Sequence, residues 1–177
     1  MPRPTGVAPK HVSGYWPCLK LVNQDAATPH GPGKTSMSVN SIFVDTNVLV
    51  YLFDAHSPDK QLQAQKLLHE ERGRIAVSVQ VLGEFYITVT RKLAAPLTPD
   101  IAIQAVDEFS QFQVHALHPE LVHSAMRRSQ SSRLSYWDSL IMETALSAGA
   151  EILYTEDLQD EQEIGDLQII NPFCHVR

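Results

Sequence analysis

The sequence is poor in cysteine, in long apolar runs and in positive charge, and each shortage removes a class of function. Its 177 residues include two cysteines, Cys18 and Cys174, which offer neither a disulfide framework nor a zinc-binding pattern. No apolar run approaches the roughly eighteen residues that a membrane-spanning helix needs. No apolar segment precedes a small-residue cleavage site of the secretory type. We therefore expect a cytoplasmic protein with no membrane span.

Positive charge is scarce where the folded part of the chain is expected. The net charge is −6, but residues 1–36 carry four basic residues and one acid, which leaves 10 basic and 19 acidic residues in the remainder. An acidic domain does not attract nucleic acid by bulk charge. If such a domain handles RNA, it must use bound cations and a local basic rim, a condition that a nuclease with a carboxylate site meets.

The first 36 residues differ from the rest in composition. They hold six of the eleven prolines and show no sustained hydrophobic period. Met37 then leads directly into a predicted strand. We interpret residues 1–36 as a flexible or non-native extension, with Met37 as the alternative natural start, and residues 37–177 as one domain.

From residue 40 onward, short apolar strands alternate with helical patterns. Apolar residues make up 44% of the chain and charged residues 19%, as in globular proteins. Strands separated by helices predict an α/β fold with a parallel sheet covered on both faces. Five strands are predicted, at Ile42–Val44, Ile75–Val79, Val114–Leu117, Ile152–Tyr154 and Leu167–Ile170. The predicted helices cover 48–53, 58–73, 81–93, 99–112, a segment from Pro119, and 135–149.

Four acidic residues fall near one edge of this predicted sheet. Asp45 directly follows the first strand, and Asp157 follows the strand at Ile152–Tyr154. Asp138 lies in the first turn of the helix that Ser135 begins, and Glu84 lies early in the helix after the second strand. Ligand sites of parallel sheets lie outside the carboxyl ends of the strands. The pattern therefore predicts that the four carboxylates meet.

Grouped carboxylates repel one another unless a cation lies between them. Hard divalent ions such as Mg²⁺ prefer oxygen ligands and use carboxylates together with water and phosphate. Such an ion activates water and neutralises charge on a phosphodiester. The residue types therefore indicate metal-dependent phosphodiester hydrolysis.

Each acid also has a structural interpretation. Asp45 could cap the short helix that follows it, and Ser135 with Asp138 matches a capping box. Asp157 could cap a turn. Glu84 stands beside apolar residues, where a carboxylate is costly to bury without compensation. It is the joint placement of the four acids that favours a site.

Four sequence blocks around these acids resemble the PIN domain, and most closely the VapC-type toxins of bacterial toxin–antitoxin pairs. The resemblance runs from about Ser41 to Phe173, with the blocks in order. They are VDTNVL at 44–49, VLGEFY at 81–86, SYWDSLI at 135–141 and LYTEDL at 153–158.

This resemblance implies a PIN-like three-layer fold with a five-stranded parallel sheet flanked by helices. It also implies Mg²⁺- or Mn²⁺-dependent endoribonuclease activity, homodimers and inhibition by a cognate antitoxin. Asp45 and Asp138 would be the leading metal ligands, with Glu84 as the third acid and Asp157 as the more variable fourth. Asp160 is a second candidate for the fourth position.

Basic and other polar residues give weaker signals. Arg127, Arg128 and Arg133 precede the Asp138 helix and could contact RNA phosphates, although solvated helix ends are the simpler interpretation. The segment GPGKT at 31–35 lacks the spacing and the preceding strand of a phosphate loop. The histidines at 115, 118 and 123 lack accompanying zinc ligands.

Other functions compete with a toxin ribonuclease. One is a housekeeping RNA-processing PIN nuclease, and another is a catalytically silent PIN module that binds RNA. A haloacid dehalogenase-type phosphatase also begins with a strand and an aspartate, but it needs Asp-x-Asp, and position 47 is Asn47.

The composition of residues 1–36 generates the first prediction. Deleting them should leave folding and nuclease activity nearly unchanged, because no predicted strand or site acid lies there. Thermal unfolding and RNA cleavage of the shortened chain test this. A large drop in melting temperature would instead show that the segment packs on the domain.

Overall fold

A computed structural model describes residues 41–174 of the chain. The predictions for residues 1–36, for the GPGKT segment and for Met37 lie outside these residues. Within the described part, none of the helices is long and apolar enough to cross a membrane.

A six-stranded sheet lies at the centre of the fold, in the order β3-β2-β1-β4-β6-β5. Neighbouring strands are parallel except for β5, which pairs antiparallel with β6. The strands are β1 (Ile42–Val44), β2 (Ile75–Ser78), β3 (Gln113–His115), β4 (Ile152–Tyr154), β5 (Glu163–Ile164) and β6 (Leu167–Ile170).

The predicted α/β fold with a parallel sheet flanked by helices is confirmed, but the strand count is six and not five. The additional strand, β5, has two residues and joins β6 through a turn at Gly165, whose φ is 61°. A two-residue strand is too short to show an alternating pattern. The third predicted strand also lies one residue earlier, at Gln113–His115, and ends two residues sooner than expected.

Six helices connect the strands within the described residues. They are α1 (Thr46–Tyr51), α2 (Pro58–Glu70), α3 (Val79–Arg91), α4 (Pro99–Phe109), α5 (Pro119–Ser131) and α6 (Tyr136–Ser147). Helices α1, α2, α3, α4 and α6 end two or three residues before the predicted boundaries. At the end of α4, the Ser110 hydroxyl and the Ser110 N–H both donate to the Val106 carbonyl.

Phenylalanine rings join the helices on one side of the core. Phe85 of α3 lies edge-on to Phe109 of α4, with 5.1 Å between ring centroids. Phe53, just after α1, contacts Phe85 at 5.5 Å. Phe85 and Phe109 are fully buried. This cluster fixes the rotation of α3 about its axis and so determines where Glu84, the neighbour of Phe85, is presented.

Strand β1 occupies the point where the chain changes direction across the sheet. The strands that follow β1 run outward through β2 to β3, whereas β4 returns to the other side of β1 and is followed outward by β6. Such switch points open a crevice beyond the carboxyl ends of the strands. Asp45 follows β1 and Asp157 follows β4 within three residues, at this crevice.

Candidate active site

The four predicted acids come together in the structure. Asp45, Glu84, Asp138 and Asp157 all line one cleft of about 330 Å³ at the carboxyl ends of β1 and β4. Two further acids, Asp54 and Glu156, line the same cleft and were not predicted. No lysine or arginine is among the described residues that line it. The cleft is therefore strongly acidic.

Asp45 is the most buried of these acids, with 5% of its surface exposed. It is the N-cap of α1, and one carboxylate oxygen accepts the N–H of Thr46. The other oxygen accepts the Thr155 hydroxyl at 2.6 Å. The capping interpretation is thus confirmed, and the cap holds the carboxylate at the end of β1, in the cleft.

Asn47 connects the β1 and β4 sides of the cleft. Its side-chain amide donates to Asp45 Oδ2 at 3.3 Å and to Asp157 Oδ2 at 3.1 Å. It also lies 3.2 Å from the Thr155 hydroxyl. An aspartate at position 47 would repel both acids, whereas the amide joins them. This donor role, which the sequence alone did not indicate, separates the site from the two-aspartate phosphatase pattern.

Glu84 receives the compensation that its apolar neighbours require. It is half-buried, and its two carboxylate oxygens accept from the Thr46 hydroxyl at 3.3 Å and from the Gln80 amide at 3.0 Å. Both donors are themselves buried. They orient Glu84 toward the cleft without neutralising its charge.

Asp138 occupies the first turn of α6, as predicted. The Ser135 hydroxyl caps the helix by accepting the Asp138 N–H at 3.1 Å. Within residues 41–174 the Asp138 carboxylate makes no return bond of the capping-box type and no other side-chain hydrogen bond. The helix start therefore uses the backbone of Asp138 and leaves its carboxylate to the cleft.

Asp157 and Asp160, the two candidates for the fourth acid, lie in different places. Asp157 is exposed and lines the acidic cleft. Asp160 lines a separate cavity of about 340 Å³ and accepts from the Asn171 N–H at 2.7 Å and the Cys174 thiol at 3.0 Å. Asp160 thus holds the C-terminal turn, and the geometry favours Asp157 as the fourth acid.

Burial raises the pKa of Asp45 from 3.8 to about 7, against the lowering effect of its hydrogen bonds to Thr155 and Thr46. The negative charges of Asp157 and Glu84 raise it further. The metal-free carboxyl therefore titrates much closer to neutral pH than an ordinary aspartate. A divalent cation beside it would remove both the desolvation cost and the repulsion.

The donor set fits a hard, hydrated cation. Carboxylate, amide and hydroxyl oxygens line the cleft, and the buried Asn47 Oδ1 has no hydrogen-bond partner in the described part of the chain. Across residues 41–174, no three His, Cys, Asp or Glu side chains form a ready-made metal-binding group. Mg²⁺ does not require one, because it uses one or two carboxylates and fills its remaining positions with water and phosphate. Asp45 and Asp138, with Glu84 and Asp157 around them, are the residues that would hold it.

A polar cluster of Lys60, Tyr51 and Glu156 was not predicted; Tyr51 and Glu156 line the cleft, and Lys60 contacts both without lining it. The Lys60 ammonium donates to Glu156 Oε2 at 2.6 Å and to the Tyr51 hydroxyl at 2.7 Å, and that hydroxyl donates to Glu156 Oε1. The same ammonium lies 4.4 Å from the centre of the Tyr51 ring. Burial alone would lower the pKa of Lys60, but its bonds to Glu156 and Tyr51 outweigh burial and raise it. Lys60 therefore stays charged and neutralises Glu156.

The predicted RNA-contacting arginines lie outside the cleft lining. Arg128 bonds to Glu143 of α6, and Arg127 lies 3.4 Å from the Ser124 hydroxyl. Both line a separate cavity of about 280 Å³ between α5 and α6. Arg133 is exposed in the segment before α6. Arg128 therefore has a structural role in joining the two helices.

Fold and cleft together define a parallel α/β protein with an acidic, oxygen-lined site at its switch point. Residues 42–161 match the family model of the PIN domain. This is more than half of the chain, and the chain therefore belongs to the PIN-domain family. No curated protein sequence is significantly similar to it.

Solved structures show the same fold at low sequence identity. A toxin–antitoxin complex from Klebsiella pneumoniae superposes with a TM-score of 0.58 at 20% identity, covering 75% of this chain and 98% of that one. Mycobacterium tuberculosis VapC20, a toxin that cleaves the sarcin-ricin loop, gives 0.54 at 21% identity over 66% of this chain and 90% of its own. DNA-bound VapBC from Salmonella typhimurium gives 0.54 at 19% identity over 73% and 96%.

The raised pKa of Asp45 predicts how the stability of the metal-free protein depends on pH. The folded state keeps the Asp45 proton up to about pH 7, whereas the unfolded chain releases it near pH 4. Between these values the folded state binds more protons, so the free energy of unfolding should fall as pH rises, by at most about 4 kcal/mol. The contribution becomes constant about one pH unit above the Asp45 pKa.

Urea unfolding in EDTA from pH 4 to 8 measures this effect. Asp45→Asn should lack the decline. A hydrogen bond lost in this variant would change the free energy of unfolding by the same amount at every pH and would therefore not alter the slope. Asp107→Asn, an exposed acid on α4, should keep the decline. An equal slope in wild type and Asp45→Asn would show that the Asp45 pKa is not raised.

The Lys60 cluster predicts an unequal effect of two lysines on the same helix. Lys60→Met leaves Glu156 unneutralised in a half-buried position and should lower the free energy of unfolding by about 1–2 kcal/mol. Lys66→Met should change it by less than about 0.5 kcal/mol, because Lys66 and Glu70 are 3.8 Å apart and more than half exposed. Adding Glu156→Gln should recover part of the Lys60→Met loss. Equal effects of the two lysine variants in urea unfolding would contradict the assignment.

Proposed function

We propose that this chain is a Mg²⁺- or Mn²⁺-dependent endoribonuclease that acts as the toxin of a toxin–antitoxin pair. The observation that carries the proposal is the convergence of Asp45, Glu84, Asp138 and Asp157 from four separate parts of the chain into one cleft. Membership of the PIN-domain family and the toxin fold of the structural relatives support it.

Each side chain has a distinct task in this proposal. Asp45 and Asp138 hold the cation, and Glu84 and Asp157 orient water and complete the charge balance. Asn47 and Thr155 keep Asp45 and Asp157 in fixed relation through their hydrogen bonds. A bound Mg²⁺ or Mn²⁺ supplies water activation and neutralises the phosphodiester at this place.

The acidic cleft is also suited to inhibition by a basic partner. An arginine fork binds carboxylates through two parallel hydrogen bonds, and the described lining offers no cation that would oppose it. We therefore propose a small antitoxin whose basic segment enters the cleft. The relatives from Klebsiella pneumoniae and Salmonella typhimurium were solved as toxin–antitoxin and VapBC complexes, which agrees with such a partner. The sequence resemblance also implies a homodimer, which remains a prediction that light scattering would test.

Two alternatives share this fold. A housekeeping nuclease would cleave RNA without arresting growth and without an antitoxin, and a silent PIN module would bind RNA without cutting it. The four acids with ordered donors around them favour an active site over a silent one.

Loss of a metal-holding acid should abolish cleavage while the fold is kept. Asp45→Asn and Asp138→Asn should each lower the rate of RNA cleavage by about 100-fold or more, since removing one charge-stabilising group costs that much. EDTA should have the same effect on wild type, and excess Mg²⁺ or Mn²⁺ should restore it. Asp107→Asn, away from the cleft, serves as the matched control and should cleave normally. Full activity in either cleft variant removes that residue from the site.

Expression in growing cells separates the toxin from the alternatives. Wild type should arrest growth and Asp45→Asn should not, and sequencing of the 5′ ends produced after induction identifies the RNA. Equal arrest by both would show that toxicity does not need the acidic cleft. Cleavage in vitro without arrest, and without a copurifying small protein in the native host, would favour the housekeeping nuclease.

A further inference from the structure

A second cavity continues directly from the acidic cleft. It measures about 710 Å³ and lies along α3 and the start of α6. It shares Glu84, Thr88, Trp137 and Asp138 with the cleft, so the two spaces have a common wall. An RNA strand whose phosphodiester lies at the four acids can therefore continue directly into this groove.

The groove is apolar where the cleft is charged. Val79 and Ile87 of α3 are 45% and 40% exposed, and Trp137 is 57% exposed. Leu117 adds a further apolar side chain, and Lys92 at the end of α3 adds a positive charge. A tryptophan exposed to this extent, next to a catalytic-site aspartate, is not placed there by core packing.

Gly83 forms the middle of the α3 wall, between Val79 and Ile87. A methyl group added at Gly83 would meet no atom within 4 Å, and its φ is not in the left-handed region. Glycine inside a helix destabilises it relative to alanine. The fold of the described chain therefore does not require glycine here, and the effect of Gly83 is to leave the groove open beside the helix backbone.

Trp137 is held in position at its ring and at its backbone. Its ring lies edge-on to Tyr136, with 5.1 Å between centroids and an interplanar angle of 67°. The Gln80 amide reaches the Trp137 carbonyl at 3.4 Å and also donates to Glu84. One buried side chain thus links the tryptophan to an acid of the cleft.

We propose that Trp137 is a stacking platform for an unpaired base of the RNA next to the cleaved phosphodiester, with the nucleotide lying along the open face of α3 at Gly83. The proposal rests on the ribonuclease function proposed above. Aromatic rings bind single-stranded RNA in this way because every base has a π-face. Lys92 provides a contact for a neighbouring phosphate. A second copy of the chain is disfavoured as a permanent occupant, because it would cover Glu84 and Asp138.

Steady-state cleavage of a single-stranded oligoribonucleotide tests the platform. Trp137→Ala should raise KM by about tenfold or more, the worth of one stacked base, with a smaller change in kcat. Trp137→Phe should restore much of the loss. Ile103→Ala, which removes a comparably exposed apolar side chain from α4, should change neither constant. An unchanged KM in Trp137→Ala, while wild type cleaves RNA, overturns the platform and leaves the ribonuclease in place.

Gly83→Ala should make the protein more stable but weaken its binding of RNA. Alanine should raise the melting temperature by about 2 to 4 °C through its helix propensity. It should also raise KM, because the added methyl narrows the groove. A variant that is more stable and binds RNA as well as wild type would contradict the proposed path. A loss of binding caused by misfolding would lower the melting temperature and is thereby distinguished.

Tryptophan fluorescence provides a readout that does not depend on cleavage. The chain has two tryptophans, Trp16 and Trp137, so Trp16→Phe leaves Trp137 as the single reporter. In Trp16→Phe, rapid mixing with single-stranded RNA in Mg²⁺ should quench the signal before cleavage, and the quenching should saturate with RNA concentration. No quenching overturns the proposal, even if wild type is a nuclease.

Light scattering of Trp137→Ala tests the remaining alternative for the groove. A dimer that dissociates in this variant would make the groove a subunit interface instead.

Discussion

Burial of the Asp45 carboxyl at the end of β1 costs free energy, and much of the cleft is arranged around that cost. The carboxyl is 5% exposed, and burial raises its pKa to about 7 although Thr46 and Thr155 both donate to it. Even with the further donation from the Asn47 amide, these hydrogen bonds are therefore not enough to stabilise the charge. A cation in the cleft would supply the missing stabilisation, and the incompletely stabilised carboxylate makes the site attractive to positive charge.

The same constraint explains the residues around Asp45. Asn47 donates to two acids at once, and Thr155 donates to Asp45 while it accepts the Asp157 N–H at 3.1 Å. These bonds fix the carboxylates without cancelling them. Glu156 is treated differently, because Lys60 neutralises it directly. The wall of the cleft is thus neutral at Glu156 and negative at Asp157, although the two are adjacent in sequence.

The candidate site was more predictable from sequence than the contacts that support it. The four acids follow from one rule, that ligand sites lie beyond the carboxyl ends of parallel strands, and each stands close to a recognisable strand or helix start. The Lys60 cluster could not be found in this way, because Lys60 and Glu156 are 96 positions apart. Asn47 looked like a missing acid, and its role as a donor appears only when Asp45 and Asp157 are seen on either side of it. Strand β5 was missed because two residues carry no period.

The contrast between the cleft and its neighbouring groove bears on how an RNA and a basic inhibitor would compete. A phosphodiester together with its cation neutralises the negative charge of the acids, and an arginine side chain neutralises it alone. The RNA and the arginine of an inhibitor therefore cannot occupy the cleft at once. The apolar face of α3 offers nothing to a guanidinium beyond ring contact at Trp137, whereas it offers a nucleotide both stacking and, at Lys92, a phosphate contact. Under the proposed function, substrate affinity would therefore be divided between cleft and groove, while inhibition by a basic side chain would depend on the cleft. A change in the groove should weaken RNA binding more than it weakens such an inhibitor, because only the RNA needs both surfaces.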